Sequence, residues 1–269
     1  MDITVVIPTY NRFEVLKRAL TSVYLQSYKP AEVIIVDDGS TDDTKKIKDL
    51  FPHAQYIYQE NSGVSSARNT GIKNSTCRHI AFLDSDDTWH VEKLARHVEF
   101  HKDNPEILMS YTDERWIRNT LEVKMPGKFQ KYGGDIFKEC LSHCIIAPSA
   151  VLIHKKLLEK VGLFDESLEV CEDYDLWLRV ACANEIGLID QKLITKYGGA
   201  QDQLSMKHWG MDRFRVLALE KLLLFENKQE LVLATLLKKY KLLLKGAVKH
   251  NKTLEIREYE KKIKKYSIS

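Results

Sequence analysis

Ile3-Thr4-Val5-Val6-Ile7-Pro8 opens the chain as a short β-branched run, and Glu32-Val33-Ile34-Ile35-Val36-Asp37-Asp38-Gly39 repeats its character one helix later. Between them Phe13, Leu16, Leu20, Val23 and Tyr24 fall at helical spacing, which predicts a helix over Arg12–Gln26. Pro8 reads as the stop of the first strand. Working outward, Thr41–Phe51 reads as a polar helix capped by Ser40 or Thr41. Tyr56–Tyr58 is a third strand, Val64–Lys73 a helix and His79–Leu83 a fourth strand. Strand and helix alternate throughout, so the expectation is a parallel sheet with helices on its faces. Each polar cluster follows a strand's C-terminal end, the edge at which open α/β sheets bind ligands.

Further along, a helix is expected from Trp89 to Asn104, before Pro105. Residues 107–135 read as strands or a loop-rich excursion. Asp135–His143 looks helical, Ala150–Ile153 strand-like and Lys155–Val161 a short helix. Leu176, Val180 and Ala183 share one face of a helix over Glu172–Ala183. Ile186–Ile189 and Leu193–Lys196 read as two strands. A Gly-rich polar stretch from Tyr197 to Ser205 marks a break. The expected organisation is a catalytic domain over 1–205 and a basic helical appendage over 206–269. In the appendage Leu233, Leu236, Leu237, Tyr240, Leu243, Leu244 and Ala247 form an apolar stripe, with Lys238, Lys239, Lys241, Lys245 and Lys249 mainly outside it.

The 269 residues are 44% hydrophobic and 29% charged, an ordinary globular balance that excludes a mainly disordered chain. No run approaches the roughly 18 apolar residues of a spanning helix. Ile3–Ile7 already reads as strand, so no secretory leader is expected. Five scattered cysteines argue against a disulfide framework and for a reducing compartment. Cys140, His143 and Cys144 share a helix turn, but no second ligand pair accompanies them, so they read as packed side chains. The net charge of +3 is segregated: Lys221–Ser269 holds 12 Lys and 1 Arg against 5 Glu, an excess of +8. Tail and body therefore face different partners.

Four strings could carry chemistry. Phe82-Leu83-Asp84-Ser85-Asp86-Asp87 runs an apolar strand into three carboxylates, which suits a hard divalent cation or, more simply, a solvated turn with Asp87 or Thr88 capping the next helix. Asp37-Asp38-Gly39-Ser40 ends the second strand with acceptors for a base or ribose, or merely starts a helix. Ser66-Ala67-Arg68-Asn69-Thr70-Gly71 offers a planar cation to a ligand or to an acidic loop; pairing a surface carboxylate is the plainer alternative. Cys171-Glu172-Asp173-Tyr174-Asp175 places acids at a helix start, as macrodipole partners or as a general base.

Taken with Val5-Val6-Ile7-Pro8-Thr9-Tyr10-Asn11-Arg12, these strings resemble the family 2 glycosyltransferases in order and spacing over roughly residues 1–205. The resemblance implies an α/β fold of the GT-A type: a Rossmann-like, mostly parallel sheet flanked by helices, here with the C-terminal helical appendage. It implies that Pro8, Thr9 and Tyr10 lie on the loop around the nucleotide, with Asp38 on the base, usually uracil. Arg68 braces the nucleotide and the acidic loop, Asp84 contacts ribose or sugar, and Asp86 ligates Mn²⁺ or Mg²⁺. Asp173 is the implied general base with Glu172 beside it, and the donor is a nucleoside-diphosphate sugar. A single in-line displacement then inverts the anomeric centre, and the acceptor is a sugar or a lipid-linked glycan. The implied setting is cytoplasmic, with the basic tail touching an anionic membrane or simply solubilising the chain.

Two departures stand out. Ala200 occupies the position where relatives often carry His, leaving Asp202 or His208 as substitutes for a third metal ligand. Arg115-Trp116 is preceded by Thr112 rather than the Gln of the Gln-x-x-Arg-Trp string, so a processive synthase is not expected. The alternative function is a glycosyltransferase-like protein that binds nucleotide sugar or glycan without turnover. A nucleotidylyltransferase or a dinucleotide-binding dehydrogenase would need a Gly-rich loop after the first strand, and Pro8–Arg12 has no Gly. Trp116, Tyr197 and Trp209 are candidates to stack on sugar rings, or else core aromatics.

Overall fold

The computed structural model describes residues 1–198, 210–224 and 228–267. Ala200, Asp202, His208, Trp209 and the boundary at 205/206 lie outside them. Strands β1 (Ile3–Thr9), β2 (Glu32–Asp37), β3 (Gln55–Tyr58) and β4 (His79–Phe82) pair in parallel in the order β3-β2-β1-β4. Between them lie α1 (Phe13–Tyr24), the short α2 (Ile47–Leu50) and α3 (Val64–Asn74). The apolar residues of β1, β2 and β4 are buried because helices cover the sheet, while β3 at the edge is half-buried or exposed.

Pro8 does not stop β1; it pairs in register with Val36. The residue's parity explains this. Val6 O accepts from Leu83 N on the β4 side, and Thr9 O accepts from Asp38 N on the β2 side. Pro8 has Val6's parity, so its missing N–H faces the β4 side, where the ladder has already ended at Val6↔Phe82. The Thr41–Phe51 segment is less helical than its polarity suggests. A 3₁₀ turn over Asp43–Lys46, capped by Asp42 rather than Ser40 or Thr41, leads into α2.

The second half of the sheet is mixed. β8 (Val151–His154) runs antiparallel to both β4 and β6 (Met109–Arg118), so the region read as strands or a loop-rich excursion begins with a long strand. The two strands expected from Ile186 to Lys196 are one, β9 (Gly187–Gly198), parallel to β6. Register shifts opposite Thr112–Glu114 absorb the extra residues between Ile189 and Ile194, so the two segments stay in one ladder. β5 (Thr88–Trp89) pairs with β9 and β7 (Leu121–Val123) with β6, giving nine strands among the described residues. Thr88 and Trp89 are thus strand, and the following helix α4 (Lys93–Asp103) starts later than expected.

α4 buries Lys93, His97 and His101. Lys93 Nζ meets His97 Nε2 at 3.1 Å, His97 Nδ1 meets Ser110 Oγ at 2.7 Å, and Ser110 Oγ meets His101 Nε2 at 2.8 Å. His101 Nδ1 lies 2.9 Å from Ile107 O and must donate to it. With both rings neutral the whole relay has one direction, each group donating toward Ile107.

α5 (Phe137–Ser142), α6 (Lys155–Val161) and α7 (Glu172–Ala181) pack beside the sheet. They are followed by α8 (Asp212–Leu222), α9 (Gln229–Lys249) and α10 (Thr253–Ser267). Val216, Leu219, Val232, Leu236, Tyr240 and Ala247 join the same hydrophobic core as the sheet. Lys239 falls inside the stripe and not outside it: it is buried, donating to Ser142 O at 3.0 Å and pairing Asp212 at 2.8 Å. Its alkyl stem fills core volume while the ammonium finds oxygen on α8 and α5. Glu220 gathers Tyr240 Oη, Lys262 Nζ and Tyr266 Oη at 2.7–2.8 Å, clamping α8, α9 and α10 together.

Candidate active site

The C-terminal ends of β1, β2, β4, β6 and β9 and the start of α7 enclose a cleft of about 770 Å³. Its walls include Pro8, Thr9, Tyr10, Asp38, Arg68, Asp84, Asp86, Glu172 and Asp173, so the residues singled out in sequence meet in one place. Tyr10 is exposed, whereas Thr9 is buried with its hydroxyl unpartnered among the described residues.

Asp38 follows β2 and is buried. Its Oδ1 accepts from Gln59 Nε2 at 2.8 Å and Ser62 N at 2.9 Å, and its Oδ2 accepts from Gly63 N at 2.9 Å. Three of roughly four acceptor positions therefore fold the 59–63 loop, and among the described residues nothing donates to the remaining one on Oδ2. Gly39 permits this return: its φ is +87°, and a Cβ there would sit 2.8 Å from Asn61 N.

Arg68 projects from α3, which lies so close on β1 that a Cβ at Gly71 would reach 2.3 Å from Val6. The guanidinium is buried and bifurcates. One arm meets Glu172 Oε1 at 2.6 Å and the other Asp84 Oδ1 at 2.7 Å. It therefore braces the acidic loop and joins it to α7. Burial would raise Asp84, but Arg68, Lys196 and Arg12 hold it below the ordinary carboxylate range. Burial, then the neighbouring Asp173, push Glu172 up to about 6 despite Arg68. Glu172 is thus a buried counter-ion on the cleft wall, whereas Asp173 is only half-buried.

The acidic loop is internally built. Ser149 Oγ accepts from Asp84 N at 3.0 Å and donates to Asp87 Oδ2 at 2.6 Å. Asp87 is buried there; burial, only partly offset by Lys196 and reinforced by Asp84 and Asp86, pushes it up to about 8. Asp86 instead turns outward: its Oδ2 meets Arg12 at 2.7 Å, and its backbone oxygen accepts from Arg18 at 2.7 Å. Arg18 in turn lies 3.7 Å over the Tyr197 ring.

Ser149, Arg12, Arg18 and Lys196 are parts of this site that residue patterns do not single out. Lys196, half-buried on β9 in the field of Asp87, Glu114, Asp84 and Asp173, is held charged despite its burial. Arg12 ends the Val5–Arg12 string, whereas Ser149 and Lys196 lie in ordinary turn and strand context. Lys196 also lies 5.5 Å from the ring of Trp116, so Trp116 and Tyr197 both line the cleft.

The donor chemistry fits a hard divalent cation. Asp86 opens to the cleft, and its Oδ1 accepts no hydrogen bond among the described residues. Among those residues no three His, Cys, Asp or Glu side chains converge to form a complete shell. Mg²⁺-type sites fill such a shell with substrate phosphate oxygens and water. Cys140, His143 and Cys144 form no such cluster either, and all five cysteines are free thiols.

Comparison with known proteins agrees with this architecture. The family model described as glycosyl transferase family 2 matches residues 4–162. An uncharacterised glycosyltransferase of Rickettsia felis is 34% identical over 194 residues, 71% of this chain. The chain spans only about a third (32%) of that relative's length. The Escherichia coli UDP-Glc:α-D-GlcNAc-diphosphoundecaprenol β-1,3-glucosyltransferase WfgD is 30% identical over 207 residues, covering 76% of this chain and 79% of WfgD. A structure of S. aureus TarS in complex with UDP-GlcNAc superposes with a TM-score of 0.73 at 21% identity, covering 89% of this chain and 71% of TarS. The fold is thus the GT-A-type mixed α/β sheet flanked by helices, and the chain belongs to glycosyl transferase family 2.

Proposed function

We propose that the chain is a metal-dependent, inverting glycosyltransferase. It moves one sugar from a nucleoside-diphosphate sugar of the UDP class to a sugar or lipid-linked glycan. The observation that carries this is the convergence of the Pro8–Tyr10 loop, Asp38, the Asp84–Asp87 loop and Asp173 on one cleft. Similarity to WfgD, whose name specifies a UDP-glucose donor and a diphosphoundecaprenol-linked acceptor, supports the substrate classes.

The roles follow from chemistry. The Pro8–Tyr10 wall and the remaining acceptor position of Asp38 receive the nucleoside. Arg68 keeps Asp84 ionised and fixed toward ribose or sugar. Asp86 would hold Mn²⁺ or Mg²⁺, which supplies neutralisation of the leaving diphosphate. Asp173, less buried than Glu172, takes the proton of the attacking hydroxyl on the opposite face. Asp173→Asn should retain donor binding and lose about 10²-fold or more in turnover. Turnover within about threefold of wild type would remove the base assignment.

We also propose peripheral contact with an anionic membrane. Lys238, Lys241, Lys245 and Lys249 are exposed on α9, interleaved with exposed Leu242 and Val248, and Leu254 is exposed on α10. No helix among the described residues is long and apolar enough to cross a membrane. Basic residues near an anionic leaflet contribute roughly 1 kcal/mol each, so a few suffice for salt-sensitive attachment.

A further inference from the structure

Among the described residues two hydrogen bonds hold the Asp173 carboxylate. Oδ1 accepts from Tyr174 N at 2.6 Å, and Oδ2 lies 3.3 Å from Cys144 Sγ. The same sulfur lies 3.3 Å from Ile146 O, which also receives the Trp177 indole N–H at 3.1 Å. One S–H thus has two acceptors at equal distance. Burial, then the charge of Asp173, push the Cys144 thiol far up, so it keeps its proton and acts as a donor. A carboxylate is a stronger acceptor than a carbonyl that is already bonded, so an ionised Asp173 takes the S–H.

We propose that Cys144 is a positioning residue for the general base. Its S–H holds Asp173 Oδ2 while the carboxylate is ionised, and turns to Ile146 O once Asp173 has been protonated. This rests on the reading of Asp173 as the base. The balance is simple: the acceptor's O–H bond breaks, an O–H bond forms on Asp173, and the thiol proton stays on sulfur. The ionised base is thereby oriented, and the thiol does not lose its hydrogen bond when the base is neutralised. The ionisable groups that act on this thiol are Asp173 and Cys171 at the start of α7, Tyr174 within it, Cys140 on α5 and Arg215 on α8. Glu172 and Lys196 act on Asp173 itself.

The test is the pH dependence of kcat/KM for Cys144→Ala and Cys144→Ser, alone and in the Asp173→Asn background. Cys144→Ala should move the acid limb up by about half to one pH unit and lower kcat about 3–10-fold, with donor KM within about twofold. Cys144→Ser, whose O–H can donate to the same oxygen, should restore the limb. In Asp173→Asn, adding Cys144→Ala should change the residual rate by less than about 1.5-fold. An unmoved acid limb in Cys144→Ala, or an equal loss in both backgrounds, overturns the proposal. If Asp173→Asn itself retains turnover, the base assignment falls; if it is inactive while Cys144→Ala matches wild type, only the role of Cys144 falls.

Discussion

Replacing Arg68 by Met should destabilise the protein in a way that depends on pH. Arg68 is the shared counter-ion of Glu172 and Asp84, at 2.6 and 2.7 Å. Glu172 is almost fully buried, so losing Arg68 leaves a buried carboxylate without its paired cation. Breaking a buried pair from one side costs about 3–5 kcal/mol. For a protein of this size that lowers Tm by about 6–20 °C. Glu172 can escape by taking a proton. Its folded value, already about 6 with Arg68 beside it, would rise further. A carboxyl raised above its unfolded value near 4.3 loses stability as pH rises through that window, because the folded state then binds more protons. The deficit of Arg68→Met should therefore be about 2–3 kcal/mol larger at pH 8 than at pH 5.5. Chemical denaturation at the two pH values measures it. The double variant Arg68→Met/Glu172→Gln, which removes the stranded charge, should recover much of the loss at pH 8. A deficit below about 1 kcal/mol at pH 8, or one equal at both pH values, would refute the reasoning.

The proposed ligand role predicts that UDP binds more tightly with Mn²⁺ and that Asp86→Ala abolishes this gain; calorimetry showing wild-type affinity with Mn²⁺ would remove Asp86 as the ligand. Burial keeps His79, His97, His101 and His154 below the ordinary imidazole value, His79 at about 4. The unfolded chain binds these protons first, so their contribution is complete above about pH 6.5 and is lost as pH falls toward 4. His79 alone should cost about 2 kcal/mol by pH 5, and His79→Phe should flatten Tm over that range. The protein should sediment with anionic vesicles at low salt and be released by high salt; equal, negligible pelleting with anionic and neutral vesicles would dismiss the membrane contact.

The parallel half of the sheet was legible from residues 3–83, because apolar runs and helical spacing are local signals. The second half was legible only in part: Ala150–Ile153 marked β8 and the two ends of β9 were visible, but β6 and the continuity of β9 were not. β6 carries Asp113, Glu114 and Arg115 in its middle, so no continuous apolar run marks it as one strand. β9 reads as two strands because Asp190 and Gln191 in its centre fall in a register shift against β6, and the apolar residues lie on either side of it. Helix ends were misplaced where a tertiary partner claimed the segment, as at Thr88–Trp89, which pairs with β9.

The site divides in the same way. Strings at strand ends mark Asp38, Arg68, Asp84, Asp86, Glu172 and Asp173, because an acid cluster or an arginine among small residues is visible one residue at a time. Tertiary structure alone decides which charges face which: Arg68 serving two carboxylates from different elements, Arg12 on Asp86, Lys196 among four acids, and Cys144 on Asp173. It also decides that adjacent acids differ, with Glu172 buried against Arg68 and Asp173 open to the cleft. Sequence determined which groups are available. Burial and distance determine their charge, because desolvation and Coulomb energy are properties of where a group sits.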